Sequence, residues 1–210
     1  DVIFETYASS ETGMITLQDP QSARRKPGSV GRPIGDTRIR IVSEDGRECG
    51  VGEPGVIYVR QPMVPDFTYL NNEAARAKAG LDDLATVGDI GYLDADGYLY
   101  VCDRQSDMVI SGGVNIYPAE IEHVLITLPG VRDCAVFGIP DAEYGESLMA
   151  VVAVSDPALN EAAIQAFIRS NMAGYKVPGR VELVDVLPRD DNGKVAKRRL
   201  RDSYLTAPVP

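Results

Sequence analysis

The sequence predicts an α+β chain in two parts: a β-rich, barrel-like unit over residues 1–105, then a compact α+β domain over residues 106–210. Three observations carry that expectation. From Val30 to Val101, short apolar runs are punctuated by Gly, Pro and Asp turns. Beyond Arg104, strand-like runs alternate with helices whose apolar residues recur at helical spacing. And 44% of the 210 residues are apolar, enough for one large or two small cores.

In the first part, "TRIRIV", the turn "SEDG" and "GVIYVR" read as one pair of strands. "GYL", the turn "DADG" and "YLYVCD" read as another. Between them Asn72 can cap a short alanine-rich helix, "EAARAKA", which Gly80 stops. The boundary falls near Ser106. In the second part, Pro118 at a first helical position and Glu120 and Glu122 in the first turn open an amphipathic helix. Its inner face carries Ile121, Val124, Leu125 and Leu128, and Pro129 and Gly130 end it. "CAVFGI" and "LMAVVAV" read as buried strands. Asn160 caps a helix from Glu161 with Ile164, Phe167 and Ile168 inward; a strand "RVELVDV" and a basic terminal helix follow.

Composition excludes several functions. A formal net charge of −10 argues against a general nucleic-acid or membrane surface, since only "KVAKRRLR" is basic. No apolar run approaches the length of a membrane span. Cys49, Cys102 and Cys134 lie far apart without CxxC spacing, the usage of a reduced, cytoplasmic protein; they read as small buried hydrophobes. The lone histidine, His123, lies on the polar side of its helix with no partner nearby in sequence and reads as surface. The start "DVIFETYASS" has neither Met nor a signal pattern, so the chain reads as a piece of something longer.

Four stretches join backbone freedom to charged or hydroxyl side chains: "YASSETG", "VGDIGYLD", "DRQSDMVISGGVNIYPAE" and "PRDDNGK". In order and spacing they resemble the later motifs of the acyl-adenylate-forming superfamily, which includes AMP-forming acyl-CoA synthetases, nonribosomal peptide synthetase adenylation domains and beetle luciferases. Members activate a carboxylic acid with ATP as acyl-AMP, and the acyl-CoA synthetases then transfer the acyl group to CoA. The resemblance makes residues 1–105 the end of a large adenylate-binding N-terminal domain, and residues 106–210 a small mobile lid domain. The Ser/Thr/Gly-rich triphosphate loop and most of the acyl pocket then belong to a missing N-terminal part, and this chain alone is expected to be inactive.

The resemblance also implies residue roles. Tyr7 offers a face for adenine, Ser10 a hydroxyl for phosphate and Glu11 a hard oxygen ligand for Mg²⁺. Here Ala8 and Ser10 replace the usual Gly and Thr. Asp89, behind Gly88, would take hydrogen bonds from the ribose hydroxyls, with Val87 where Thr is common. Arg104 would contact the nucleotide; read without the family it is a surface partner of Asp103 or Asp107. Ser106 falls at the hinge, where Asp or Lys is usual. Gly112 and Gly113 would line the pantetheine tunnel, or else simply turn a hairpin. Asp190, Asp191, Asn192 and Gly193 make a turn that presents Lys194 to the reacting carboxylate and α-phosphate. As mere decoration of a helix N-terminus, a lysine there would oppose the macrodipole. Lys197, Arg198 and Arg199 read as a solvated face or as contacts for CoA phosphates. Family lysines in this setting are targets of a lysine acetyltransferase. The competing readings are a carrier-protein-directed adenylation domain and a nonenzymatic nucleotide-binding or interaction module.

Overall fold

A computed structural model describes residues 3–191 and 193–206. The chain is mixed α+β and divides into two compact units, Asp1–Ser106 and Asp107–Pro210.

Unit 1 begins with the strands β1 (Glu5–Ser9) and β2 (Gly13–Gln18), then the helix α1 (Pro20–Arg25) and the strands β3 (Arg32–Pro33), β4 (Arg38–Val42) and β5 (Gly55–Arg60). The helix α2 (Glu73–Lys78) and the strands β6 (Gly80–Leu81), β7 (Leu84–Ala85), β8 (Asp89–Leu93) and β9 (Leu99–Arg104) complete it. Asn72 caps α2 as expected, its side chain accepting from the Ala75 amide. Helix α1 was not expected. Asp19 caps it, accepting from the Gln21 and Ser22 amides, and Pro20 stands at its first position.

These strands do not close into a barrel. They form two open sheets, β1-β2-β3 and β6-β7-β5-β8-β9 with β4 on β5. The path has no strand to close it, because β5 is shared between β8 at its start and β7 at its end, and the terminal β6 is only two residues long. Ile15 from the first sheet packs with Ile41, Ile57, Val59 and Leu99 of the second in a common core, and the Gly31–Leu99 bridge joins the sheets through backbone.

Unit 2 contains the strands β10 (Val109–Ser111) and β11 (Val114–Ile116), the helix α3 (Pro118–Leu125) and the long strands β12 (Val131–Asp141) and β13 (Gly145–Val154). The helix α4 (Glu161–Asn171), the strand β14 (Arg180–Val184) and the helix α5 (Lys197–Thr206) follow. The sheet order is β11-β10-β13-β12, with β14 parallel to β13. Successive side chains of β12 and β13 point to opposite faces. Cys134, Val136, Leu148, Ala150 and Val152 therefore pack with Ile121 and Leu125 of α3 and Ile164 and Ile168 of α4. Ala135, Phe137, Met149 and Val151 pack on the other face with Leu187 and with Leu200 of α5. Burial on both faces explains why these strands read as unbroken apolar runs instead of alternating ones.

Ile164 is fully buried between α4 and the sheet. Ile164→Ala is expected to destabilise unit 2 by about 2–5 kcal/mol. Amide exchange should show lost protection across residues 107–206 with Leu99 in unit 1 unaltered; equal loss in both units would contradict two separate cores.

Candidate functional site

In unit 1 three of the expected residues come together. Antiparallel pairing of β8 and β9 sets Asp89 opposite Arg104. The register then slips between Ile90 and Gly91, a bulge that re-aims the side chains at the strand end. Gly91 is required there, since a Cβ would lie 2.2 Å from the Tyr100 carbonyl oxygen. Asp89 is buried to 8% exposure. Its Oδ2 accepts the Tyr7 hydroxyl at 2.5 Å, and its Oδ1 lies 3.6 Å from Arg104 Nε. Read without the family, Arg104 was a partner of Asp103 or Asp107; the β8–β9 ladder supplies Asp89 to its guanidinium, while the Arg104 amide bonds the Asp103 carboxylate at 2.8 Å. The guanidinium itself is mostly exposed.

Tyr7 does more here than offer a ring face. Its ring packs on the Ile15–Leu99 core and its hydroxyl orients the aspartate. Burial, and then the hydrogen bond to Asp89, push its phenol well above the ordinary tyrosine range. Sequence reading missed this pairing because the two residues lie 82 positions apart.

Ser10 is exposed on the β1–β2 turn, where its neighbour Ser9 takes the internal bonds to Thr12. Glu11 stands at an open cleft with Thr12, Arg60, Gln61 and Phe67 in its walls. Its Oε1 accepts the Tyr69 hydroxyl at 3.2 Å. Tyr69 is a contact of Glu11 that sequence reading did not name, and burial and the Glu11 carboxylate raise its pKa. Among the described residues no group of three metal-ligating side chains occurs. Mg²⁺ held by one carboxylate, waters and nucleotide phosphates needs no such cage, so Glu11 fits that mode.

In unit 2, Gly112 and Gly113 both have positive φ, +56° and +80°, and form the two-residue turn between β10 and β11. Tyr144 holds this hairpin by accepting the Gly112 amide at 2.9 Å. Ser106 lies in a turn at the division between the units.

Lys194 is not at a helix N-terminus; α5 starts three residues later, so the macrodipole argument does not bear on it. It sits in a small hairpin joined by the Arg189–Val195 bridge. Asp190 closes that hairpin: its amide bonds the Lys194 carbonyl at 2.8 Å, its side chain accepts the Lys194 amide at 2.8 Å, and its carbonyl accepts the Gly193 amide at 2.9 Å. Gly193 has φ +76°, a conformation that favours glycine. Asn192, also expected in this turn, lies outside the described residues. Arg189 bonds the Gly193 carbonyl and pairs with Asp133, pinning the hairpin to β12. The Lys194 side chain is exposed, and no acidic partner stands beside its ammonium among the described residues. Lys197, expected on a solvated face, is instead turned inward and paired with Glu122 at 2.7 Å. Arg198 and Arg199 are exposed, as expected for that face.

Residues 120–194 match the family model of the AMP-binding enzyme C-terminal domain, and residues 1–65 match that of the AMP-binding enzyme. A 2-succinylbenzoate–CoA ligase of Bacillus licheniformis is 40% identical over 94% of this chain and 41% of its own length. An uncharacterized acyl–CoA ligase of Bacillus subtilis is 37% identical over 95% of this chain and 40% of its own length. The structure of o-succinylbenzoate CoA synthetase from Bacillus subtilis with its acyl-adenylate intermediate superposes with a TM-score of 0.88 at 36% identity, covering 96% of this chain and 41% of that one. The chain therefore spans about two fifths of the length of the curated relatives it matches.

Because the folded chain holds the Tyr7 proton more tightly than the unfolded chain does, this group supports the fold fully below its ordinary value of about 10. That support is lost as pH rises further. Urea midpoints at about pH 8 and about pH 11 should therefore fall less in Tyr7→Phe than in the wild type; identical pH dependence would remove the Tyr7–Asp89 assignment.

Proposed function

Because the chain belongs to the AMP-binding enzymes, we propose that it forms part of an ATP-dependent acid–CoA ligase, in which unit 1 holds the nucleotide and unit 2 is the mobile lid that delivers Lys194. The observation that carries this reading is the exposed ammonium of Lys194, without an acidic partner among the described residues, on a hairpin pinned by Arg189 and Asp190. Charge builds on the α-phosphoryl oxygens as pyrophosphate leaves. A fixed cation stabilises that state more than the ground state, and one held by an internal carboxylate would be spent already.

The other roles follow from the same geometry. Asp89, oriented by Tyr7 and Arg104, keeps lone pairs for the two ribose hydroxyls. Arg104 would offer its exposed guanidinium to ribose and phosphate oxygens. Glu11 would hold the Mg²⁺ that neutralises charge on the triphosphate, and Ser10 would donate to a phosphate oxygen. The acceptor is CoA, whose pantetheine arm would pass the Gly112–Gly113 hairpin, a turn whose own two residues carry no side chain. Ser106 would absorb the rotation between the two half-reactions. The substrate is a small-molecule carboxylic acid.

The test is acid-dependent ATP–pyrophosphate exchange across a panel of carboxylic acids, on a protein of the relatives' full length that contains these residues. One class of acid should support exchange, and Lys194→Ala should lower it about a hundredfold or more. Exchange unaffected by the substitution would sink the assignment of Lys194.

The same exposure makes Lys194 open to a lysine acetyltransferase, and acetylation would remove the charge the step needs. Peptide mass after treatment with an acetyltransferase should show the added acetyl group at Lys194, with exchange lost in proportion; full modification with full activity would contradict both roles.

A further inference from the structure

Gly138 lies in the interior of β12, where glycine normally weakens a strand. A Cβ there would come within 3.0 Å of Glu146 Oε1 and 3.1 Å of its carboxylate carbon. The missing side chain makes room for a carboxylate, and that carboxylate serves two elements at once. Glu146 Oε1 lies 3.1 Å from Arg201 Nη2 on α5, and Glu146 Oε2 accepts the Ile110 amide of β10 at 3.1 Å. Helix α5 directly follows the Lys194 hairpin, and β10 leads straight into Gly112–Gly113.

Each element has a further anchor outside Glu146: Val109 of β10 is buried in the core, and Lys197 of α5 pairs with Glu122. Strand β10 meets β13 through the single pair Ser111–Gly145, next to the Gly112–Tyr144 bond. Helix α5 is highly polar, with Leu200 buried in the core and Tyr204 partly buried against it. Arg201 Nε is buried without a hydrogen-bond partner among the described residues, so the guanidinium meets its counter-charge through Nη2.

We propose that Glu146 is a positioning residue whose two oxygens divide the labour. Oε1 sets α5, and through it Lys194, for acyl-AMP formation; Oε2 sets the glycine hairpin for transfer to the thiol. The assignment of steps rests on the adenylation reading, while the coupling of the two elements does not.

The two oxygens can be separated by substitution. Glu146→Gln keeps a carbonyl for the Ile110 amide but turns an NH₂ donor toward Arg201. Arg201→Met removes the charge and keeps the stem. Both should lower acyl-AMP formation about tenfold while transfer from supplied acyl-AMP to CoA stays within about twofold of wild type. Glu146→Ala should lower both half-reactions. Equal loss in both half-reactions for Glu146→Gln, or no loss in either, overturns the division of roles.

Amide exchange on the 210-residue chain reads the coupling without any activity. Glu146→Ala should expose the Ile110 amide and the α5 amides, and Glu146→Gln those of α5 alone. A uniform rise across residues 107–206, or none at either element, overturns the coupling. The predicted exchange pattern in a full-length protein that forms no acyl-AMP with any acid would support the coupling and remove the adenylation reading instead.

Discussion

The two-residue alternation of side chains along β12 and β13 is the constraint on which unit 2 depends. Both faces of these strands are apolar, so each face needs a cover. Helices α3 and α4 meet the first requirement with conventional apolar stripes. The second face is left to Leu187 and α5, and α5 has few apolar side chains to offer. Its position is completed by charge: Lys197 reaches Glu122 on α3 and Arg201 reaches Glu146 on β13, two pairs four residues apart along the helix. Losing one partner of a partly buried pair of this kind costs more than losing one partner of an exposed pair.

This arrangement accounts for where the reactive candidate lies. The hairpin carrying Lys194 is tied at one end to Asp133 through Arg189 and runs at the other into α5, whose Leu200 is buried in the core. Most of the basic residues near it are consumed in holding the element together. Among the described residues Lys194 keeps a cation without an acidic partner, as a group must if its favourable interaction is to be made only with a reacting phosphate.

Unit 1 solves a different problem, the placement of a buried carboxylate. Asp89 is tolerable in its setting because a hydroxyl and a guanidinium face it from β1 and β9. The bulge at Gly91 and the close approach of the Tyr100 backbone set the strand end that carries it. The cost of burial is met by partners that leave part of the carboxylate's accepting capacity unused.

The sequence by itself determined the helices α2, α3 and α4, the long apolar strands, and the motif residues that mark the family, because caps, periodicity and turn glycines act over a few neighbouring positions. It missed α1, although Asp19 followed by Pro20 is a helix-start signal. Only the tertiary structure decided that the first part forms two open sheets and no barrel, since closure depends on which strands meet at β5. The same holds for Tyr7 turning its hydroxyl to Asp89, Tyr69 reaching Glu11, Lys197 folding inward to Glu122, and Glu146 joining β10 to α5. These contacts cross from 36 to 82 positions of sequence, and no local pattern encodes which of many carboxylates a distant cation or hydroxyl will meet.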